Sequence, residues 1–271
     1  MNLTPYERRA RREIDEWVRG NASLLAKAFD LVMRPVDWAM EQAVPAAVTD
    51  QAGEAVGQFL SALNDVSKWV DNTSTFAASA RSHGLDVEDV ESLRHYPLKD
   101  LDRLARTCFS QNAILAALSG GGAGLGGFAL IAADIPILFM INFRLIQQVG
   151  AAFGFPMKSP EYRPVVLSIY NAAAASTRDA RGAALREVTV AAAAFAGAAD
   201  YRGRVRGTIA DQSRHLPREI AKNLVGRKLL QAIPLAGPAV GAGINYWFTT
   251  ETAKTAFMLL RALHLEYKER Q

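Results

Sequence analysis

Two long segments without a single charged side chain constrain this chain more than any other feature. The first, Ala113 to Ala133 (AILAALSGGGAGLGGFALIAA), runs for 21 residues; Asp134 interrupts it, and Ile135 to Phe143 is again uncharged. The second, Leu229 to Thr250 (LLQAIPLAGPAVGAGINYWFTT), runs for 22 residues. A run of about 18 or more apolar residues is the usual length for a membrane-spanning helix. Both segments also carry small residues at four-residue steps: Gly120/Gly124, Gly122/Gly126 and Gly237/Gly241, with Ala239/Gly243 extending the second ladder. Such ladders let two helix backbones approach closely. In a water-exposed helix each glycine costs about 1 kcal/mol relative to alanine, so the run predicts a tight packing partner. The other segment would supply it.

Pro136, Pro234 and Pro238 interrupt the segments. Two readings therefore stay open. The segments could enter a membrane as broken helices meeting at their proline ends, or they could form a buried central hairpin in a helical bundle. Asp134 is expensive among some thirty apolar residues unless it is hydrogen-bonded. It reads either as a polar anchor in a ligand cavity or a proton-handling carboxylate or, by the more ordinary account, as the N-cap of the next helix with Pro136 close behind. Arg144 is a conceivable partner, but ten helical residues separate the two by about 15 Å.

The rest of the chain reads as helix. Thr4, Pro5 and Glu7 make a capping box, and Tyr6, Ala10, Ile14, Trp17 and Val18 recur on one face of the helix that follows. Further helices are expected over 23–33, 35–43, 49–70 and 74–82, the last ended by Gly84, with a helical turn over 86–94 and another helix opening at Pro97. No stretch alternates apolar and polar residues as a strand does. The fold class is all-α: a multi-helix bundle built around two central glycine-rich apolar helical hairpin segments. One domain covers 1–271, with amphipathic helices over 1–110 and the glycine-rich core over 111–271.

Charge and motifs narrow the function. The net charge of +4 is unevenly placed. Between Tyr201 and Lys228 stand Arg202, Arg204, Arg206, Arg214, Arg218, Lys222, Arg227 and Lys228 against only Asp211 and Glu219. This stretch is either a solvated helix face or a surface drawn to anionic lipid headgroups. With one aromatic nearby and no reading motif, it does not suit nucleic acid. Gly122, Gly124 and Gly127 spell GxGxxG, but no strand precedes them and no acidic residue follows at the required spacing. The four histidines lie far apart, and the single cysteine, Cys108, has no histidine near it and reads as a small buried hydrophobe. Glu161 in SPEYRP reads as a first-turn acid behind Ser159. No catalytic, metal or cofactor constellation is left. The opening MNLTPYERRARREIDEW lacks the apolar core of a secretory signal, which predicts a cytoplasmic location, peripheral to or partly inserted in the inner membrane.

In this order, Tyr6, Glu7 and Trp17 on an amphipathic helix, GGGAGLGGFALIAADIP (120–136), an aliphatic helix over 141–154, Pro160-Glu161 and IPLAGPAVGAGINY (233–246) resemble the EcsC family. The resemblance spans essentially the whole chain. It implies membrane or envelope association and a link to export or lipid homeostasis, and it carries no established catalytic residues. The favoured expectation is a non-enzymatic membrane-associated protein binding lipid or another apolar ligand through Asp134, Gly122, Gly124, Gly126, Gly237, Gly241 and Asn245. The basic residues 202–222 would then lie at the membrane surface. Alternatives are a helical accessory subunit docking on a membrane transporter, with Trp17, Trp38 and Trp69 as candidate anchors, and a hydrolase using Asp134.

Overall fold

The computed structural model describes residues 3–20, 73–123, 127–157, 162–175, 177–197 and 237–271. These form seven α-helices: α1 (Pro5–Arg19), α2 (Thr73–Ser82), α3 (Leu98–Ala123), α4 (Gly127–Ala152), α5 (Arg163–Ala175), α6 (Arg178–Phe195) and α7 (Gly237–Glu269). A short 3₁₀ turn, Glu91–His95, precedes α3. No strand occurs among the described residues, so the all-α class holds. The helices expected over 23–33, 35–43 and 49–70, the Ser159–Glu161 turn, Trp38 and Trp69 lie outside the described residues.

The long C-terminal helix α7 organises the bundle. It packs against α1, α3, α4, α5 and α6. A helix touched on so many sides must be apolar nearly all round, and from Ile244 to Leu265 most of its side chains are buried. Pro238 does not break it, because a proline in the first helical turn removes an N–H that has no intrahelical acceptor anyway.

Helices α3 and α4 form an antiparallel pair beside α7. Asn112 Nδ2 on α3 donates to Gln148 Oε1 on α4 at 2.9 Å, and nearer the 124–126 connection Ser119 pairs with Asp134. Helices α4 and α7 run parallel and in register. Asn245 bonds Asp134 and His264 bonds the Phe153 carbonyl, both across a separation of 111 residues. The chain returns between them through α5 and α6, which pack on each other and on α7. A buried aromatic stack seals this side: Tyr170 lies over Phe139 with centroids 5.3 Å apart, and near Phe143 and Phe248 at 6.2 and 6.4 Å. The Tyr170 hydroxyl donates to the Phe139 carbonyl. α3 runs unbroken through 110 and 111, where the sequence divides amphipathic from glycine-rich halves.

Local signals place the ends of the elements. The capping box forms as the sequence predicts: Thr4 Oγ1 accepts from the Glu7 amide at 3.2 Å, and Glu7 Oε2 accepts from the Thr4 amide at 2.8 Å. Helix α4 ends in a left-handed glycine, Gly154 at φ 86°, with the Phe155 amide reaching back to the Gly150 carbonyl and the Gly154 amide to Ala151, both at 2.9 Å. Gly84, at φ 77°, closes α2 by the same pattern. Only glycine adopts this backbone without strain.

Helix α1 is clamped across the C-terminal half of α7. Its face of Ala10, Ile14 and Trp17 is buried, so Trp17 is a core residue. Around it Lys268 Nζ pairs with Glu7 Oε1 at 2.6 Å, and Arg11 reaches Glu266 and, at 2.5 Å, Glu269. At the centre is Arg261, 3 % exposed at its side chain, which holds Asp102 Oδ2 at 2.6 Å and Glu13 Oε2 at 2.7 Å. Tyr6 Oη donates to the same Asp102 oxygen at 2.7 Å. Burial pushes the Asp102 carboxyl upward despite Arg261 and Tyr6, which favour its charged form. The other end of α1 is held by the buried Arg181. Its guanidinium donates to the Trp17 and Gly20 carbonyls, both at 3.3 Å, and lies 5.1 Å from the Trp17 ring. A cation on the last carbonyls of a helix also complements the negative end of its dipole.

Burial holds the His264 imidazole down to about 4, against the opposing pull of the Phe153 carbonyl. The folded value lies below the ordinary 6.5, so the unfolded chain takes the proton first on acidification. Stability present in full above pH 6.5 is therefore lost as pH falls toward 4, by about 3 kcal/mol from this group. Urea unfolding at several pH values measures it. His264→Leu is expected to flatten that window specifically, because the acid loss from the salt-bridged Glu7, whose carboxyl Lys268 and Thr4 hold down against burial, remains.

Candidate functional site

Residues 118–119, 134–140 and 245–246 meet at the end of the bundle where α3 and α4 approach their connection. Inside is a polar cluster. Asp134 is 2 % exposed and Asn245 fully buried. Asn245 Nδ2 donates to Asp134 Oδ2 at 3.0 Å and to Oδ1 at 3.4 Å, and the Ser119 hydroxyl donates to Oδ1. Three helices thus converge on one carboxylate.

The structure corrects the more ordinary account of Asp134. α4 begins at Gly127, so Asp134 lies inside the helix and caps nothing. The helix also continues past Pro136, whose missing N–H leaves the Ala132 carbonyl without its usual donor. Arg144 is not the partner, since it stands ten residues further along the same helix; Asp134 is satisfied from α3 and α7 instead.

Outside the cluster, the exposed side chains at this end, among the described residues, are apolar. Leu118, beside Ser119, is 70 % exposed, and Tyr246, beside Asn245, is 48 % exposed. Ile114, Leu115, Ile137 and Met140 are exposed as well. Single exposed apolar residues are ordinary, whereas these six are gathered toward one end.

Of the other residues expected at the site, Gly122 lies in the last turn of α3, Gly237 opens α7, and Gly241 is buried in α7. Gly124 and Gly126 lie outside the described residues, as do Arg202, Arg204, Arg206, Arg214, Arg218 and Lys222. The structure therefore brings Asp134 and Asn245 together, while the hairpin expected around the second glycine segment is not described. Sequence reasoning misses Ser119 and the exposed apolar residues. Nothing local distinguishes Ser119 within an uncharged run; its role depends on a helix pairing 15 residues away. Cys108 is partly buried, and burial pushes its thiol up to about 11, which makes it a poor nucleophile.

No group of His, Cys, Asp and Glu capable of holding a metal ion occurs among the described residues. Among them, too, no helix is long and apolar enough to cross a membrane. Chemically, the cluster is a fixed array of hydrogen-bonding groups in an apolar wall, with a serine hydroxyl already committed to the carboxylate.

An all-helical bundle assembled on one central helix, with a polar cluster behind an apolar end, defines the class. The sequence profile of the EcsC protein family matches residues 8–265, and the chain belongs to that family. It is similar to a Bacillus subtilis (strain 168) protein described as uncharacterized protein YdbA, with 25 % identity over 179 residues. The match takes in 64 % of this chain and 61 % of that protein, so the chain spans about three fifths of its relative's length. No solved structure matches.

Proposed function

We propose that this chain is a non-enzymatic membrane-associated protein that binds a lipid or another apolar ligand, at the cytoplasmic face of the inner membrane, in the service of envelope or export homeostasis. One observation carries the reading: Asp134, Ser119 and Asn245 form a buried polar cluster directly behind an exposed apolar surface. Ligand sites for apolar molecules combine mostly apolar walls with a few placed polar groups that fix orientation. Here an acyl chain would meet the apolar residues, in front of the polar cluster that ties the three helices together. EcsC membership is compatible with this and supplies no reaction of its own.

Native mass spectrometry with lipid extraction, on protein purified with and without mild detergent, tests the reading. The expected result is a bound lipid that survives detergent-free purification and is depleted in Asp134→Asn at unchanged helix content. A soluble protein that is empty in both preparations contradicts it. Capture of a transporter subunit by such an empty protein would move the reading to an accessory subunit.

A further inference from the structure

Three helices change the character of their outer faces at one level. Along the exposed side of α3, Arg103, Arg106 and Ser110 give way to Ile114, Leu115 and Leu118. Along α4, read toward the same end, Gln148 and Arg144 give way to Met140 and Ile137. Along α7, which shares the register of α4, Lys254 gives way to Tyr246. The 111-residue offset sets Lys254 beside the level of Arg144. Neither cation makes an ion pair among the described residues, and both are partly buried.

Along the helix axes, Met140 and Ile137 stand about 6 and 10 Å beyond Arg144, and Tyr246 stands about 12 Å beyond Lys254. The apolar residues thus lie between the two cations and the end of the bundle, and the two cations stand where anionic headgroups would lie. Two cations without an ion pair among the described residues, bordering an apolar end, complement the negative surface of an anionic bilayer.

We infer that this end of the bundle docks on an anionic bilayer, with Leu118, Ile137, Met140 and Tyr246 dipping below the headgroups and Arg144 and Lys254 contacting lipid phosphates. The inference rests on the membrane reading above and adds its orientation.

The test uses the full chain with Cys108→Ser and one new cysteine at a time, Leu118→Cys, Met140→Cys, Tyr246→Cys or Arg12→Cys. Each is labelled with an environment-sensitive fluorophore and mixed with phosphatidylglycerol/phosphatidylcholine vesicles containing shallow spin-labelled lipid. Labels at 118, 140 and 246 are expected to shift blue and to be quenched, while the label at exposed Arg12, on the far clamp, stays unchanged. In the unlabelled chain, Arg144→Gln and Lys254→Gln are each expected to weaken binding to anionic vesicles about fivefold, at unchanged thermal unfolding.

Vesicle binding with the three labels silent, or with Arg12 responding, overturns the orientation and leaves membrane association standing. Lipid co-purification without vesicle binding overturns docking and leaves the ligand reading standing. A dimer that Leu118→Asp dissociates, with all labels unquenched, assigns the surface to a second copy and also overturns the inference.

Discussion

Arg261→Ala is expected to lower the unfolding free energy by about 3–5 kcal/mol, the cost of removing one member of a buried ion pair. Arg261 joins α1, α3 and α7 through Glu13 and Asp102. Its removal leaves the Asp102 carboxylate, 4 % exposed at its side chain, with the Tyr6 hydroxyl bonded to it and Arg106 as the nearby positive charge. Burial already pushes the Asp102 carboxyl upward, so without the guanidinium it takes up a proton at higher pH still. The deficit should therefore shrink on acidification, as the stranded carboxylate is neutralised. Urea unfolding at about pH 7.5 and about pH 5 measures both effects. A loss under about 1 kcal/mol, the range of an exposed pair, would mean that Arg261 contributes little to the clamp of α1 on α7.

Gly154→Ala is expected to cost about 2–5 kcal/mol. Two contributions add: about 1–2 kcal/mol for a side chain in the left-handed region, and about 1–3 kcal/mol for crowding in a packed core. The crowding is concrete. A Cβ on Gly154 would lie 2.8 Å from the Arg94 backbone nitrogen and 2.5 Å from its Cγ. Arg94 cannot retreat freely, because its Nε donates to the Gly154 carbonyl at 2.7 Å and its guanidinium lies 4.8 and 5.1 Å from the Phe155 and Tyr267 rings. Gly84→Ala isolates the first contribution. Gly84 has φ 77°, and a Cβ added there would meet nothing within 4 Å. Its loss should stay near 1–2 kcal/mol, roughly the strain alone. Equal losses at the two positions would show that the Arg94 contact contributes nothing.

What can be read from the sequence and what cannot divide by the range of the interaction. The α1 cap at Thr4, the left-handed stop at Gly84 and the buried run Leu98, Leu101, Leu104 and Ala105 all depend on residues within a few positions of one another, and all form as read. Asp134 stands out in the sequence as a costly residue needing partners. The partners themselves are out of reach there, because Ser119 and Asn245 come from other helices, and no local periodicity announces a parallel pairing of α4 with α7. The N-cap account of Asp134 fails for a related reason. It takes Pro136 as the start of a helix, whereas packing of α4 against α3 and α7 carries the helix through the proline.

The apolar end is half legible. An uncharged run such as Ala113 to Ala133 announces apolar surroundings, but it cannot say which face meets protein and which meets something else. Only the packed bundle shows that Leu118 and Met140 point outward while Ala116 and Leu138 point inward. The same holds for Arg144, which the sequence offers only as a partner for Asp134, and for Lys254, until the shared register places them at one level.

Flotation of the purified chain with phosphatidylglycerol-containing vesicles, beside Leu118→Asp and Met140→Asp, tests membrane docking most directly. Both substitutions fall on exposed side chains, so folding should be spared. The wild type is expected to float with anionic vesicles, and each aspartate variant to stay largely at the bottom of the gradient. A wild type that remains at the bottom and yields no lipid on extraction would contradict both docking and lipid binding.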